Sequence, residues 1–126
     1  MSSKRFATAI AVCLGAAVLA GLPGQAFAHA HLKSATPAPG DAIAAAPSEL
    51  DLTFSEDLNL KFSGVTVTGP GDAAVATGAA TLTNGNATLS VPLQARLGAG
   101  SYTVRWHALS ADGHKTHGRY SFTIKP

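Results

Sequence analysis

Sulfur is nearly missing from this chain, which has one cysteine, Cys13, and one methionine, Met1, in 126 residues. Both lie in a segment that reads as a cleavable leader. Lys4 and Arg5 precede a charge-free run from Phe6 to Leu22, and Pro23, Gly24 and the small-residue triplet Ala26-Phe27-Ala28 follow. That order of charge, apolar stretch and small residues is the pattern of a secretory signal peptide. The run falls short of the roughly 20 residues a bilayer-spanning helix needs, and no stop-transfer charges follow it. Cleavage after Ala28 would leave residues 29–126, a length that suits one compact domain. Such a domain holds no sulfur, which excludes disulfides and thiolate or thioether metal sites.

Net charge is the second absence. The whole chain carries a formal +2, and without Lys4 and Arg5 seven basic residues face seven acidic ones. A neutral domain with no basic stripe along its sequence lacks the phosphate-directed electrostatics of nucleic-acid binding. Amphipathic helical periodicity is missing too. So are a nucleophile elbow and zinc-protease spacing; His114 and His117 are three apart but fall in a predicted loop, not on a helix.

What is present is period-two alternation. Leu50, Leu52 and Phe54 alternate with Asp51, Thr53 and Ser55; Tyr102, Val104 and Trp106 with Thr103, Arg105 and His107; Tyr120, Phe122 and Ile124 with Arg119, Ser121 and Thr123. Val65 and Val67, and Leu89 and Val91, add two shorter runs. Such alternation marks strands with one buried face. Pro39-Gly40, Gly69-Pro70-Gly71, Asn84-Gly85 and Gly98-Ala99-Gly100 punctuate the runs, and Asn84-Gly85 reads as the turn of a hairpin. About seven short strands at this spacing predict an all-β, immunoglobulin-like or cupredoxin-like Greek-key sandwich. Its core is expected from Leu50, Leu52, Phe54, Leu58, Leu60, Val65, Val67, Leu82, Leu89, Val91, Val104, Trp106, Phe122 and Ile124. At about 1.5–3 kcal/mol per large apolar side chain buried, that set needs no metal to fold. Residues 42–47, rich in alanine, read as a loop or weak edge strand.

Five histidines follow the leader, in two groups: His29 and His31, then His107, His114 and His117. Cleavage after Ala28 would free an α-amine on His29, so one residue would offer two nitrogen donors. The reference pKa of that amine is about 7.7–8.0, low enough for a divalent ion to displace its proton near neutral pH. Asp112-Gly113-His114 sets a carboxylate and an imidazole two residues apart with a glycine between. Amine, imidazole and carboxylate without sulfur suit Cu(II) first and Zn(II) second.

The start His29-Ala30-His31-Leu32-Lys33-Ser34, the segment Phe54-Ser55-Glu56, and the run from Trp106 to His114, with Gly118 and Tyr120-Ser121-Phe122 beyond, resemble the CopC family of periplasmic copper-binding proteins. The resemblance spans residues 29–126. It implies a Greek-key sandwich that carries copper rather than catalysing a reaction, either in copper resistance or in supply to an inner-membrane partner of the CopD type. It further implies a histidine brace in which His29 supplies amine and imidazole, Asp112 and His114 complete the Cu(II) site, and Glu56 orients the amine. His31 matches the family opening as an auxiliary residue. Members with a Cu(I) site carry a methionine-rich segment, so this chain resembles the Cu(II)-only branch.

Three alternatives stay open. A square-planar site could form from the amine, two deprotonated amides and the His31 imidazole, and cleavage after Ala30 would remove His29 altogether. A histidine brace is also what lytic polysaccharide monooxygenases resemble. An immunoglobulin-like binding module with incidental metal affinity is the third.

Overall fold

The computed structural model describes residues 30–126, so the leader and His29 lie outside the described residues. Alternating runs become nine strands: β1 (Leu32–Thr36), β2 (Ala42–Ile43), β3 (Glu49–Phe54), β4 (Gly64–Thr68), β5 (Ala74–Val75), β6 (Thr81–Thr83), β7 (Thr88–Pro92), β8 (Gly100–Leu109) and β9 (Lys115–Ile124). Two of them, β2 and β5, are two-residue edge pieces; β3, β4, β7, β8 and β9 are the strands that alternation predicts, β6 completes the predicted hairpin, and β1 was not read from the sequence. A four-stranded sheet ordered β1-β3-β7-β6 faces a five-stranded sheet ordered β2-β9-β8-β4-β5. Neighbours out of chain order, such as β3 beside β7, make this a sandwich of crossed connections rather than a meander. No described helix is long and apolar enough to cross a membrane.

The Asn84-Gly85 turn joins β6 to β7, with both residues at positive φ (55° and 71°). Asparagine and glycine tolerate that conformation, and its twist suits a hairpin. Residues 42–47 supply β2, which pairs parallel to β9 at the sheet edge. Leu50, Leu52, Phe54, Leu89, Val91, Val104, Phe122 and Ile124 are buried between the sheets. Trp106 packs edge-on against Phe54, with ring centroids 5.0 Å apart.

Leu60, expected in the core, is 39 % exposed, and Phe62 beside it is 51 % exposed. Leu58 and Leu60 keep strand spacing, but the chain leaves the sheet after Leu58 and winds a 3-10 turn over Leu60–Phe62, capped by the Asn59 side chain. The parity that buries Leu58 stops there.

Charge is also less even than the sequence suggests. On the outer face of the five-stranded sheet Arg105 stands opposite Arg119, and His107 opposite His117. A basic stripe therefore exists, but its members are spread over two strands and cannot be read as a run.

Candidate metal centre

The link between β8 and β9 is where core and surface meet. Ser110 continues the inward parity of β8 and is 1 % exposed. Its backbone N–H donates to the His114 carbonyl (2.9 Å), and the Gly113 N–H donates to the Ser110 carbonyl (2.9 Å). Gly113 has φ 95°, a left-handed conformation that glycine adopts at little cost. The turn is buttressed from the segment after β3: Ala111 N–H donates to the Asp57 carbonyl (2.9 Å) and Asn59 N–H to the Leu109 carbonyl (2.8 Å).

Inside this frame the Ser110 hydroxyl donates to Asp112 Oδ1 and accepts from the His114 N–H (3.2 Å). Asp112 Oδ1 lies 3.1 Å from His114 Nδ1, and both side chains are about half exposed. The Ser110 hydrogen bond, then that from His114, holds the Asp112 carboxyl below the usual carboxylate range. Asp112 is therefore an anion, held by its neighbours and open to solvent.

The 3.1 Å separation has a coordination reading. Two donors each about 2.0–2.2 Å from one ion and at right angles to one another lie about 3 Å apart. In this structure the same distance is spanned by the Asp112–His114 hydrogen bond, which a shared ion would replace. Among the described residues no third His, Cys, Asp or Glu joins them.

The described chain begins at this same end of the sandwich. Ala30 is fully buried, and its carbonyl accepts from Thr116 Oγ1 (2.7 Å). His31 is tied to the end of β3. Its N–H donates to Ser55 Oγ (3.0 Å), its Nδ1 is 3.1 Å from the same oxygen, and its carbonyl accepts from the Ser55 N–H (2.9 Å). Glu56 follows Ser55 and is half-buried.

Of the residues predicted from sequence, Asp112 and His114 come together, His31 and Glu56 lie on either side of Ser55, and His29 falls outside the described residues. His107 and His117 face away, on the outer sheet surface. Ser110, Ser55 and Thr116, which hold the three approaching segments, were not singled out by sequence reasoning. For Ser110 a signal was present: it keeps the even parity of Trp106 and Ala108, so a polar side chain is carried to a core position.

Comparison with known proteins agrees with this architecture. A family model for the CopC domain matches residues 32–125. Protein YobA of Escherichia coli K12 is 43 % identical over 100 residues, covering 79 % of this chain and 81 % of YobA. The crystal structure of CopC from Methylosinus trichosporium OB3b superposes with a TM-score of 0.72 at 30 % identity, over 78 % of this chain and 95 % of that one. PcoC, a methionine-rich copper resistance protein from Escherichia coli, gives a TM-score of 0.70 at 35 % identity, over 77 % and 99 %.

Proposed function

The chain belongs to the CopC family, and from that membership and the Asp112–His114 pair we propose that it is an exported, periplasmic Cu(II)-binding protein of copper resistance. It sequesters the ion or delivers it to a CopD-like membrane transporter. Relatives in the family are copper resistance proteins, not enzymes.

The observation that carries the reading is the 3.1 Å spacing of a carboxylate oxygen and an imidazole nitrogen on a braced turn. In this reading residues 1–28 are removed as a signal peptide, and His29 heads a copper-binding domain of residues 29–126. His29 adds its amine and ring nitrogen to Asp112 and His114, and Glu56 orients the amine. The hold on Ala30 supports this. Residue 29 is one peptide unit from Ala30, about 3.8 Å between Cα atoms. Thr116, which grips Ala30, is two residues along from His114, about 7 Å of strand. Nitrogen and oxygen donors without sulfur favour Cu(II) over other divalent first-row ions. Residues 29–126 contain no methionine, which sets the chain apart from methionine-rich PcoC and speaks for a single Cu(II) site.

Two observations weigh against the alternatives. A square-planar site at His31 requires the amides of Ala30 and His31 to lose their protons. The His31 N–H is engaged by Ser55 (3.0 Å) and Ala30 is fully buried, so that site would have to peel the chain from both sheets. Polysaccharide oxidation calls for an aromatic platform, whereas Phe54, Tyr102, Trp106, Tyr120 and Phe122 are buried and Phe62 is the single exposed aromatic among the described residues.

Competition titration of Cu(II) into the protein recovered after export, its N-terminus checked by mass spectrometry, tests the proposal. With His114→Ala, affinity should fall about tenfold or more, at least about 1.4 kcal/mol, while His117→Ala should leave it unchanged. Equal affinity of His114→Ala and the parent would remove this turn from the site.

A further inference from the structure

The face built by the odd-numbered positions of β8 and β9 has charge with no counter-charge. Arg105 lies directly opposite Arg119, and both are exposed. Like charges at opposed positions on neighbouring strands destabilise a sheet, and among the described residues no carboxylate pairs with either guanidinium. Next along the ladder His107 faces His117, and Lys115 follows toward the turn. Of the domain's acidic residues, Glu49 and Asp51 project from the opposite sheet, where Ser90 hydrogen-bonds both, and Asp57 and Asp112 lie at the β8–β9 turn.

Apolar surface adjoins this face. Phe62 and Leu60 are the exposed large hydrophobic residues among those described, and Lys61 Nζ lies 5.7 Å from the Phe62 ring centroid. Phe62, Lys61, His107, Lys115 and Thr116 line a depression of about 300 Å³. Thr116 is the residue whose hydroxyl holds Ala30, so the depression reaches the edge of the proposed copper site.

We propose that this face docks an acidic segment of a partner protein, with carboxylates along the Arg105–Arg119 and His107–His117 rungs and one apolar side chain in the depression beside Phe62. The inference rests on the proposed copper function, for which it supplies the chemistry of the receiving partner. Charge complementarity selects acid. An anionic membrane surface fits less well, because a plane of headgroups pressed on this end would also meet Glu56, Asp57 and Asp112, whereas a discrete segment can follow the strands and pass them by.

The test titrates the exported protein, isotopically labelled, with a synthetic peptide rich in Asp and Glu around a single leucine, and separately with phosphatidylglycerol vesicles. Amide shifts should cluster at residues 60–62, 105–107 and 115–119. Binding should weaken steeply from about 0.01 M to about 1 M salt, as screening contracts from about 30 Å to about 3 Å. The Lys61→Glu/Arg105→Glu variant should bind the peptide at least about tenfold more weakly. Arg105→Glu sets a carboxylate opposite Arg119, so the sheet itself is not harmed. Shifts elsewhere, no shifts, a variant that binds as the parent does, or vesicle binding with an inert peptide would each overturn the proposal. Cu(II) titration of the same samples separates the two readings. A parent that fails to bind Cu(II) sinks the proposed function and leaves the docking result standing, whereas a variant that binds Cu(II) normally but not the peptide supports both.

Discussion

The even-numbered and odd-numbered positions of the β8–β9 hairpin lead to different chemistry from one backbone. Even positions carry Trp106, Ala108 and Ser110 into the interior, pass through Asp112 and His114 at the rim, and return through Thr116, Gly118 and Tyr120. Odd positions carry Arg105, His107, Lys115, His117 and Arg119 into solvent. Histidine occurs on both sides, yet only His114 stands beside a carboxylate, while His107 and His117 stand among cations. Neighbourhood rather than residue type therefore separates a candidate cation site from a candidate anion surface; strand alternation assigns it on the sheet face, and the turn at Gly113 assigns it for Asp112 and His114.

The sharpest way to break this comparison is at the chain start. If the even-numbered rim needs the His29 amine, one residue added ahead of His29 should weaken Cu(II) binding by orders of magnitude, as read by competition titration; equal affinity for both forms would mean that the amine is not a ligand.

Next in size is the interior of the same line. A Cβ on Gly118 would lie 2.7 Å from Trp106 Cζ2, and that ring is itself pinned against Phe54. Gly118→Ala should cost about 1–3 kcal/mol in chemical denaturation. An unchanged midpoint would show that Trp106 can yield.

Ser110→Ala tests whether the rim is ordered from the core. Without the hydroxyl, the Asp112 midpoint, followed by NMR of its carboxyl carbon, should rise toward the ordinary value of 3.8. The sign is that of a depressed acid: its stabilising contribution is complete above pH 3.8 and is lost as pH falls through the lower folded midpoint. The variant should show less of that acid sensitivity, and an unmoved midpoint would assign the depression to His114.

The smallest expected effect is at Tyr120. Its phenol is buried with no hydrogen-bond partner among the described residues, and burial pushes its pKa above the usual range. Tyr120→Phe should therefore leave stability unchanged or raise it slightly in thermal unfolding, since an unsatisfied hydroxyl costs rather than contributes. A clear loss would reveal a partner for that oxygen.

Much of the fold was legible because burial on one face writes itself as period two. The core strands and the Asn84-Gly85 hairpin follow from local pattern, whereas residues 42–47, open between loop and weak edge strand, supply a two-residue strand at Ala42–Ile43. Leu60 was misplaced because parity persists in the sequence for two residues after the chain has left the sheet. In the candidate site, Asp112 and His114 were legible as a pair from their spacing, but the reason differs: a turn with Gly113 at φ 95°, not an extended segment, brings them together. Ser55 and Thr116 were not, because each acts on the described start of the chain through a contact between segments far apart in sequence, 24 residues for Ser55 and 86 for Thr116.

By itself the sequence determined what the donors are: no sulfur beyond the leader, two clusters of histidine, and a carboxylate two residues from an imidazole. Those are properties of composition and local spacing, which folding cannot change. Only the tertiary structure decided that His114 stands beside Asp112 while His107 and His117 face away, that the buried Ser110 ties the Asp112–His114 turn, and that Arg105, Lys115 and Arg119 gather on one sheet face. Such outcomes depend on which strands become neighbours, and strand pairing is settled by burial across the whole sandwich rather than by any one segment.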